Sequence, residues 1–242
     1  MTRYLAPLLF GLIGAGILVS LGSWQLRRLE WKEAVLAEID SRISGPAEPL
    51  PQMISPDEQR YQPVALQGEI LPGEIRVLVS QKQVGAGYRI ISPFRVEGAP
   101  SGPRLLLLDR GFAADADKDA ARSTGPVTVT GNLHWPDDRN SSTPENDLKA
   151  NIWFARDIGA MAEVLQTEPL LVVAREIDPA DPKIEPLPVS PSGIPNDHLQ
   201  YAITWFSLAV VWLIMTGAVM KSKCSFLRIS CLNGEVEAKT SW

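Results

Sequence analysis

The sequence predicts an α+β membrane protein in which two transmembrane helices flank a mostly antiparallel β extracytoplasmic domain. Residues 4–26 run for 23 positions without a charge and residues 199–220 for 22. Each is enough to cross a hydrocarbon core of about 30 Å at about 1.5 Å per residue. Nothing between Arg27 and His198 comes close. From Tyr61 onward, short β-like runs are punctuated by Pro and Gly at 72–73, 85–87, 102–103 and 125–126, the spacing of a compact antiparallel sheet, a small barrel or a sandwich. A chain of 242 residues, 45% hydrophobic and 21% charged, supports a real core and excludes disorder as the main state.

The first helix (4–26) follows Arg3 and contains small residues at Ser20 and Gly22, so a cleaved secretory signal is the competing reading. The apolar stretch is longer than the usual 7–15 or so and has no A-x-A ending. An uncleaved anchor is therefore expected. Gly11 and Ala15 form a small-xxx-small stripe suited to packing the two helices together.

Residues 27–56 are expected as a juxtamembrane helix and a Pro-rich connector. In "RRLEWKEAVLAEIDSRI", Leu29, Val35, Leu36 and Ile39 keep helical spacing until Ser44-Gly45-Pro46, after which Pro49, Pro51 and Pro56 mark the connector. The β-rich domain (57–177) contains "YQPVALQGEI", "EIRVLVSQ", "YRIISPFRV", "RLLLLDRGF" and "VTVTGNLHW". A short helix, "DIGAMAEVLQ", follows with Asp157 as its cap, and "PLLVVAREI" reads as the last strand. Residues 178–197 carry six prolines and read as a stiff extended arm. The second membrane helix (198–220) leads into a tail (221–242) without sustained period, expected to be unstructured.

Arg27, Arg28 and Lys32 follow the first span, and Lys221, Lys223 and Arg228 the second. A long domain translocates largely regardless of charge, so the short C-terminal flank decides the orientation. Both termini are expected in the cytoplasm and the central domain in the periplasm of a bacterial inner membrane. The only cysteines, Cys224 and Cys231, fall in the tail. The outside domain therefore has neither a disulfide nor a thiolate metal site, which excludes a copper-carrying CxxxC chaperone.

No G-x-G-x-x-G joins a strand to a helix, and neither a Walker motif nor a G-x-S-x-G elbow occurs. A Ser-His-Asp triad would have to use one of the two histidines, and nothing presents an activated nucleophile. The chain is not expected to be an enzyme or to bind nucleic acid. The pairs Asp115/Asp117 and Asp137/Asp138 read as solvated loop residues. His134, at the end of a strand in "GNLHWPDD", reads as an edge histidine stacking or hydrogen-bonding locally.

His198 stands apart by position. Pro195, Asn196 and Asp197 announce a helix start, placing His198 in the first turn, where the positive end of the helix dipole favours the neutral, metal-binding ring. Tyr201, Ala202 and Trp205 follow on its face. The plain reading is an interfacial aromatic belt; the sharper one is an imidazole ligand for haem iron beside an aromatic wall. On the other helix, Trp24, Gln25, Arg27, Arg28 and Trp31 mark the same boundary. Its arginines suit either lipid phosphate or the propionates of a porphyrin.

Five stretches together, "LGSWQLRRLEWK", "YQPVALQG", "DRGF", "PEN" with "NIWFARDIGAMA", and "NDHLQYAITWFSLA", resemble the surfeit locus protein 1 family, in order and over nearly the whole chain. Asp197 stands where that family often has a second asparagine. The resemblance implies a membrane factor for assembly of haem-a-containing cytochrome c oxidase. Such a factor binds haem a as transient cargo and helps place it in the oxidase's largest subunit, with haem a synthase a further partner beside the lipid bilayer. The family's candidate haem contact falls on His198, with Tyr201, Trp205, Trp24, Arg27 and Arg28 as the expected surroundings. A scaffold that holds the oxidase subunit without touching haem is the alternative.

Overall fold

The structure, a computed structural model, describes residues 2–82, 84–98 and 102–239. It divides into two compact units, Met1–Leu36 with Ile194–Trp242, and Ala37–Gly193.

The first unit is a helix pair. Helix α1 (Thr2–Ile43) contributes its N-terminal part and α4 (His198–Lys239) the partner. Both are long and apolar enough to cross a membrane, within Leu5–Ile43 and His198–Lys221. The two run in opposite directions: Gly11 faces Thr216, Gly14 faces Trp212, Gly22 faces Phe206 and Gln25 meets His198. Small residues supply the close approach. Ala15, Ala202 and Ala209 are buried, and the Trp212 indole donates to the Gly11 carbonyl at 3.0 Å. The backbone of α4 stays helical to Lys239, so most of the tail expected to be unstructured is helical. Residues 221–239 contain no proline to stop the preceding helix. Residues 240–242 lie outside the described residues.

The second unit is built on a seven-stranded sheet: β1 (Pro63–Ile70), β2 (Ile75–Gln81), β3 (Gly85–Val96), β4 (Arg104–Ala114), β5 (Gly125–His134), β6 (Ile152–Trp153) and β7 (Leu171–Asp178). Their order is β1-β5-β7-β4-β3-β2-β6, and a further β1–β3 pairing closes five strands into a ring. The length of β3 permits this. Its first half pairs with β2, while its last residues reach β1 at Gly68↔Val96. The crossing needs a glycine, since a Cβ on Gly68 would lie 2.1 Å from the Arg95 carbonyl oxygen. A short helix α2 (Pro56–Gln59) precedes the sheet.

The sheet is mixed, which corrects the mostly antiparallel expectation. Strand β7 runs parallel to β4, and β6 parallel to β2. The runs "LLLL" and "LLVVA" lack alternation because these strands are covered on both faces, which by itself leaves their direction open. Leu106 and Leu108 enter one core cluster with Val64, Leu66, Phe94 and Val172. Leu107 enters another with Leu171, Val173, Trp153 and Met161. Helix α3 (Ile158–Leu165) covers that second cluster, and its start is fixed by the Asp157 carboxylate accepting from Ala160 N at 3.2 Å.

The proline-rich segment is not a free arm within this unit. The Glu185 and Phe112 backbones exchange hydrogen bonds at 2.7 and 2.8 Å, the buried pair Arg110–Asp181 closes at 2.8 Å, and Val189 packs on the second cluster. At the contact stands Gly111, with φ +122° and a Cβ position 2.2 Å from the Glu185 oxygen. "DRGF" is therefore a docking strip for the segment, and only glycine fits its third place.

Candidate functional site

The first helical hydrogen bond of α4 runs from Tyr201 N to Asp197 O at 3.1 Å, so His198 does occupy the first turn. Its Nδ1 lies 2.8 Å from Gln25 Oε1. An amide oxygen only accepts, so Nδ1 carries the proton, and a neutral ring then keeps the Nε2 lone pair available. Gln25 thus does for this imidazole what carboxylates and carbonyls do behind metal-bound histidines, fixing tautomer and ring direction. Next to it, Lys32 Nζ donates to the Pro195 carbonyl, and Asn196 Oδ1 is buried without a hydrogen-bond partner.

The other expected residues are less tightly organised. Trp24, Arg27, Arg28 and Tyr201 are exposed, and Trp205 is half-buried. Arg28 stacks over the Trp31 ring, 4.0 Å from its centroid. The structure therefore joins His198 to Gln25, while Arg28 joins Trp31. Sequence reasoning noted Gln25 only as a boundary marker and missed it as the partner. The one signal was an amide at the end of an uncharged span. Among the described residues there is no group of three metal-ligating His, Cys, Asp or Glu side chains.

The barrel carries a separate polar group at one end of β5. His134 is buried and stacks on Tyr61 with ring centroids 5.4 Å apart. Its strand lies between β1 and β7, so it is not an edge histidine, although the local stacking expected of it is present. Burial, helped by the Arg156 cation, lowers its pKa to about 4. Arg156 grips Asp138 through two bonds of 2.6 and 3.2 Å, so Asp138 is a paired residue and not merely a solvated one. Burial would raise the Asp138 pKa, but Arg156 outweighs it and holds the carboxyl below its ordinary value. Asp109, wholly buried, accepts from Arg89 and from Gly111 N. Here burial prevails over Arg89 and Arg156, and the carboxyl is raised. This group binds β3, β4, β5 and the segment before α3 into one end of the barrel.

Fold and site define a two-helix protein with a mixed-sheet barrel and a single histidine fixed at a helix start. The profile of the SURF1 family matches residues 12–210, and the chain belongs to that family. It is 29% identical over 215 residues to the SURF1-like protein of Rickettsia felis, covering 84% of this chain and 92% of that one. Surfeit locus protein 1 of Xenopus tropicalis is 29% identical over 221 residues, covering 78% of this chain and 67% of the relative. The Gallus gallus protein of the same name is 31% identical over 216 residues, with the same coverage. The family match spans both Gln25 and His198.

Proposed function

We propose that this protein is a membrane-embedded, non-enzymatic assembly factor for haem-a-containing cytochrome c oxidase. In this reading, α1 and α4 cross the inner membrane, the termini are cytoplasmic and the barrel is periplasmic. The protein takes up haem a and passes it to the largest oxidase subunit. Haem a synthase is the source to test first. The observation that carries the reading is the His198–Gln25 hydrogen bond, which directs one proton to Nδ1 and leaves Nε2 as the ligating atom. Exposed Tyr201 and Trp24, with half-buried Trp205, offer ring faces beside a porphyrin, and exposed Arg27 offers a cation for its propionates. Arg28 joins them by leaving Trp31. One imidazole suits a carrier, which has to release what it binds.

The test is the spectrum of full-length protein purified in detergent from haem-a-producing cells. His198→Ala should abolish the Soret band and lower the yield of assembled oxidase at equal protein level. Gln25→Ala should retain haem more weakly, by about tenfold for one lost hydrogen bond to the ligand. His134→Ala should leave the Soret band in place. A wild-type spectrum from His198→Ala sinks the haem reading and leaves the scaffold, which supports the oxidase subunit without haem, as the function.

A further inference from the structure

The seam between α1 and α4 does not close along its whole length. At Gly11 and Gly14 the helices meet so closely that a Cβ would lie 2.3 and 2.4 Å from the Thr216 and Trp212 side chains. Four residues before Gly11, the same face of α1 presents Pro7, whose ring takes the place of a glycine hydrogen and keeps the helices from closing. A crevice of about 190 Å³ remains there, lined by Pro7, Phe10, Trp212, Met215, Thr216 and Val219.

Its walls are apolar and held in place. Phe10 tilts on Trp212 with ring centroids 5.4 Å apart. The Trp212 indole donates to the Gly11 carbonyl at 3.0 Å, and the Thr216 hydroxyl donates to the Trp212 carbonyl at 2.9 Å. The two polar side chains of the lining are thus already paired, and the indole cannot turn to fill the crevice without losing its bond. A guest finds no hydrogen-bond partner among these side chains and has to be apolar itself.

We propose that this crevice binds one acyl chain of a phospholipid of the cytoplasmic leaflet, lying along α4 between Trp212 and Val219. The inference rests on the placing of α1 and α4 in the bilayer proposed above, and not on haem at His198. Depth selects the occupant. Trp212 and Val219 follow His198 by 14 and 21 residues, about 21 and 32 Å at about 1.5 Å per residue. With His198 at the periplasmic boundary, the crevice lies in the cytoplasmic half of a hydrocarbon core of about 30 Å, beyond a macrocycle ligated at His198. What surrounds it at that depth is acyl chain. No hydrophobic force drives such a chain from lipid onto protein; the gain is dispersion, because wall atoms that face a gap lose their partners and a chain held against two fixed rings restores them.

The experiment reconstitutes the full chain in vesicles of phosphatidylethanolamine and phosphatidylglycerol that carry a trace of phosphatidylcholine with a diazirine midway along one acyl chain. Irradiation should place adducts on Phe10, Met215 and Val219, which are 69%, 59% and 46% exposed, at least about fivefold more often than on Leu12, Ile13 and Ile214. Those three are 56%, 61% and 66% exposed at neighbouring positions of the same helices, so exposure and depth are matched. Met215→Trp, which puts an indole in the crevice, should remove the excess at Phe10 and Val219 and leave Leu12 and Ile13 as before. His198→Ala should keep the excess. Equal labelling of all six positions in the wild-type chain overturns the proposal, and that comparison does not depend on any variant folding. Added haem a that suppresses the excess in the wild type but not in His198→Ala gives the crevice to the isoprenoid tail of the haem and overturns it as well. Adducts on none of the six overturn the bilayer placing together with the inference that rests on it.

Discussion

The two units of this protein treat their apolar side chains in opposite ways. In the barrel, Leu107, Leu171 and Val173 are fully buried, while in the helix pair Leu12, Ile13 and Ile214 are 56%, 61% and 66% exposed. The barrel makes its own interior. The helix pair buries mainly alanine and glycine at its seam and turns its large residues outward, which is economical only where the surroundings are themselves apolar. Stability should accordingly follow different rules in the two units.

The largest effect is expected from an identical substitution made in each. Leu107→Ala removes a side chain packed against Trp153, Met161, Leu171 and Val173 and should destabilise the barrel by about 2–5 kcal/mol. Leu12→Ala removes one that faces outward and should change stability by no more than about 0.5 kcal/mol. Hydrogen exchange of the β4 and α1 amides in detergent-solubilised full chain measures both. Equal losses would erase the distinction.

How far this contrast was legible from sequence differs between the units. The two uncharged spans are local signals, as is the Asp157 cap, which acts on the amide three residues on. The direction of β7 was not legible, because "LLVVA" has no period and parallel or antiparallel pairing is decided by a partner over 60 residues away in the chain. The same holds within the candidate site. His198 was marked by its place at a helix start, but its bond to Gln25 spans 173 positions, and no local pattern encodes it. Likewise, the pairing of Asp138 with Arg156 required the loop after β5 to return beside the segment before α3.

A second prediction concerns acid, to which the barrel alone has a buried histidine to respond. His134 has a folded pKa of about 4 against an ordinary 6.5. Between these values the unfolded chain binds a proton that the folded barrel refuses. Stability from this residue is therefore complete above pH 6.5, declines as pH falls toward 4, and levels off below. The full loss is at most about 3 kcal/mol. Arg156, Arg60 and Arg89 oppose protonation and Asp138 favours it. Asp138 and Asp181, both lowered, lose their contributions only below 3.8, outside this window. Asp109, raised by burial, acts in the opposite sense, so the contribution of His134 is read as a difference. His134→Phe, which keeps a ring on Tyr61 but cannot titrate, should show a flatter pH dependence between 6.5 and 4. An unchanged slope would mean that the histidine is not the group responsible.

The smallest effect is expected at the helix seam, where two glycines of α1 distinguish packing from propensity. A Cβ on Gly11 would lie 2.3 Å from Thr216 Cγ2, whereas one on Gly16 meets nothing within 4 Å. Thr216 cannot easily yield, because its hydroxyl donates to the Trp212 carbonyl at 2.9 Å, and Trp212 in turn donates to Gly11. Gly11→Val should therefore force α1 and α4 apart at a cost of about 1–3 kcal/mol. Gly16→Val, the same change on the outward face, should be neutral or slightly stabilising, since valine is the better helix former by a few tenths of a kcal/mol. Titration of the detergent-solubilised chain with SDS, monitored by a cysteine pair placed at Gly22 and Phe206 for cross-linking across the seam, separates the two. If both variants part the helices at the same SDS fraction as the parent, the small residues are not what brings α1 and α4 together.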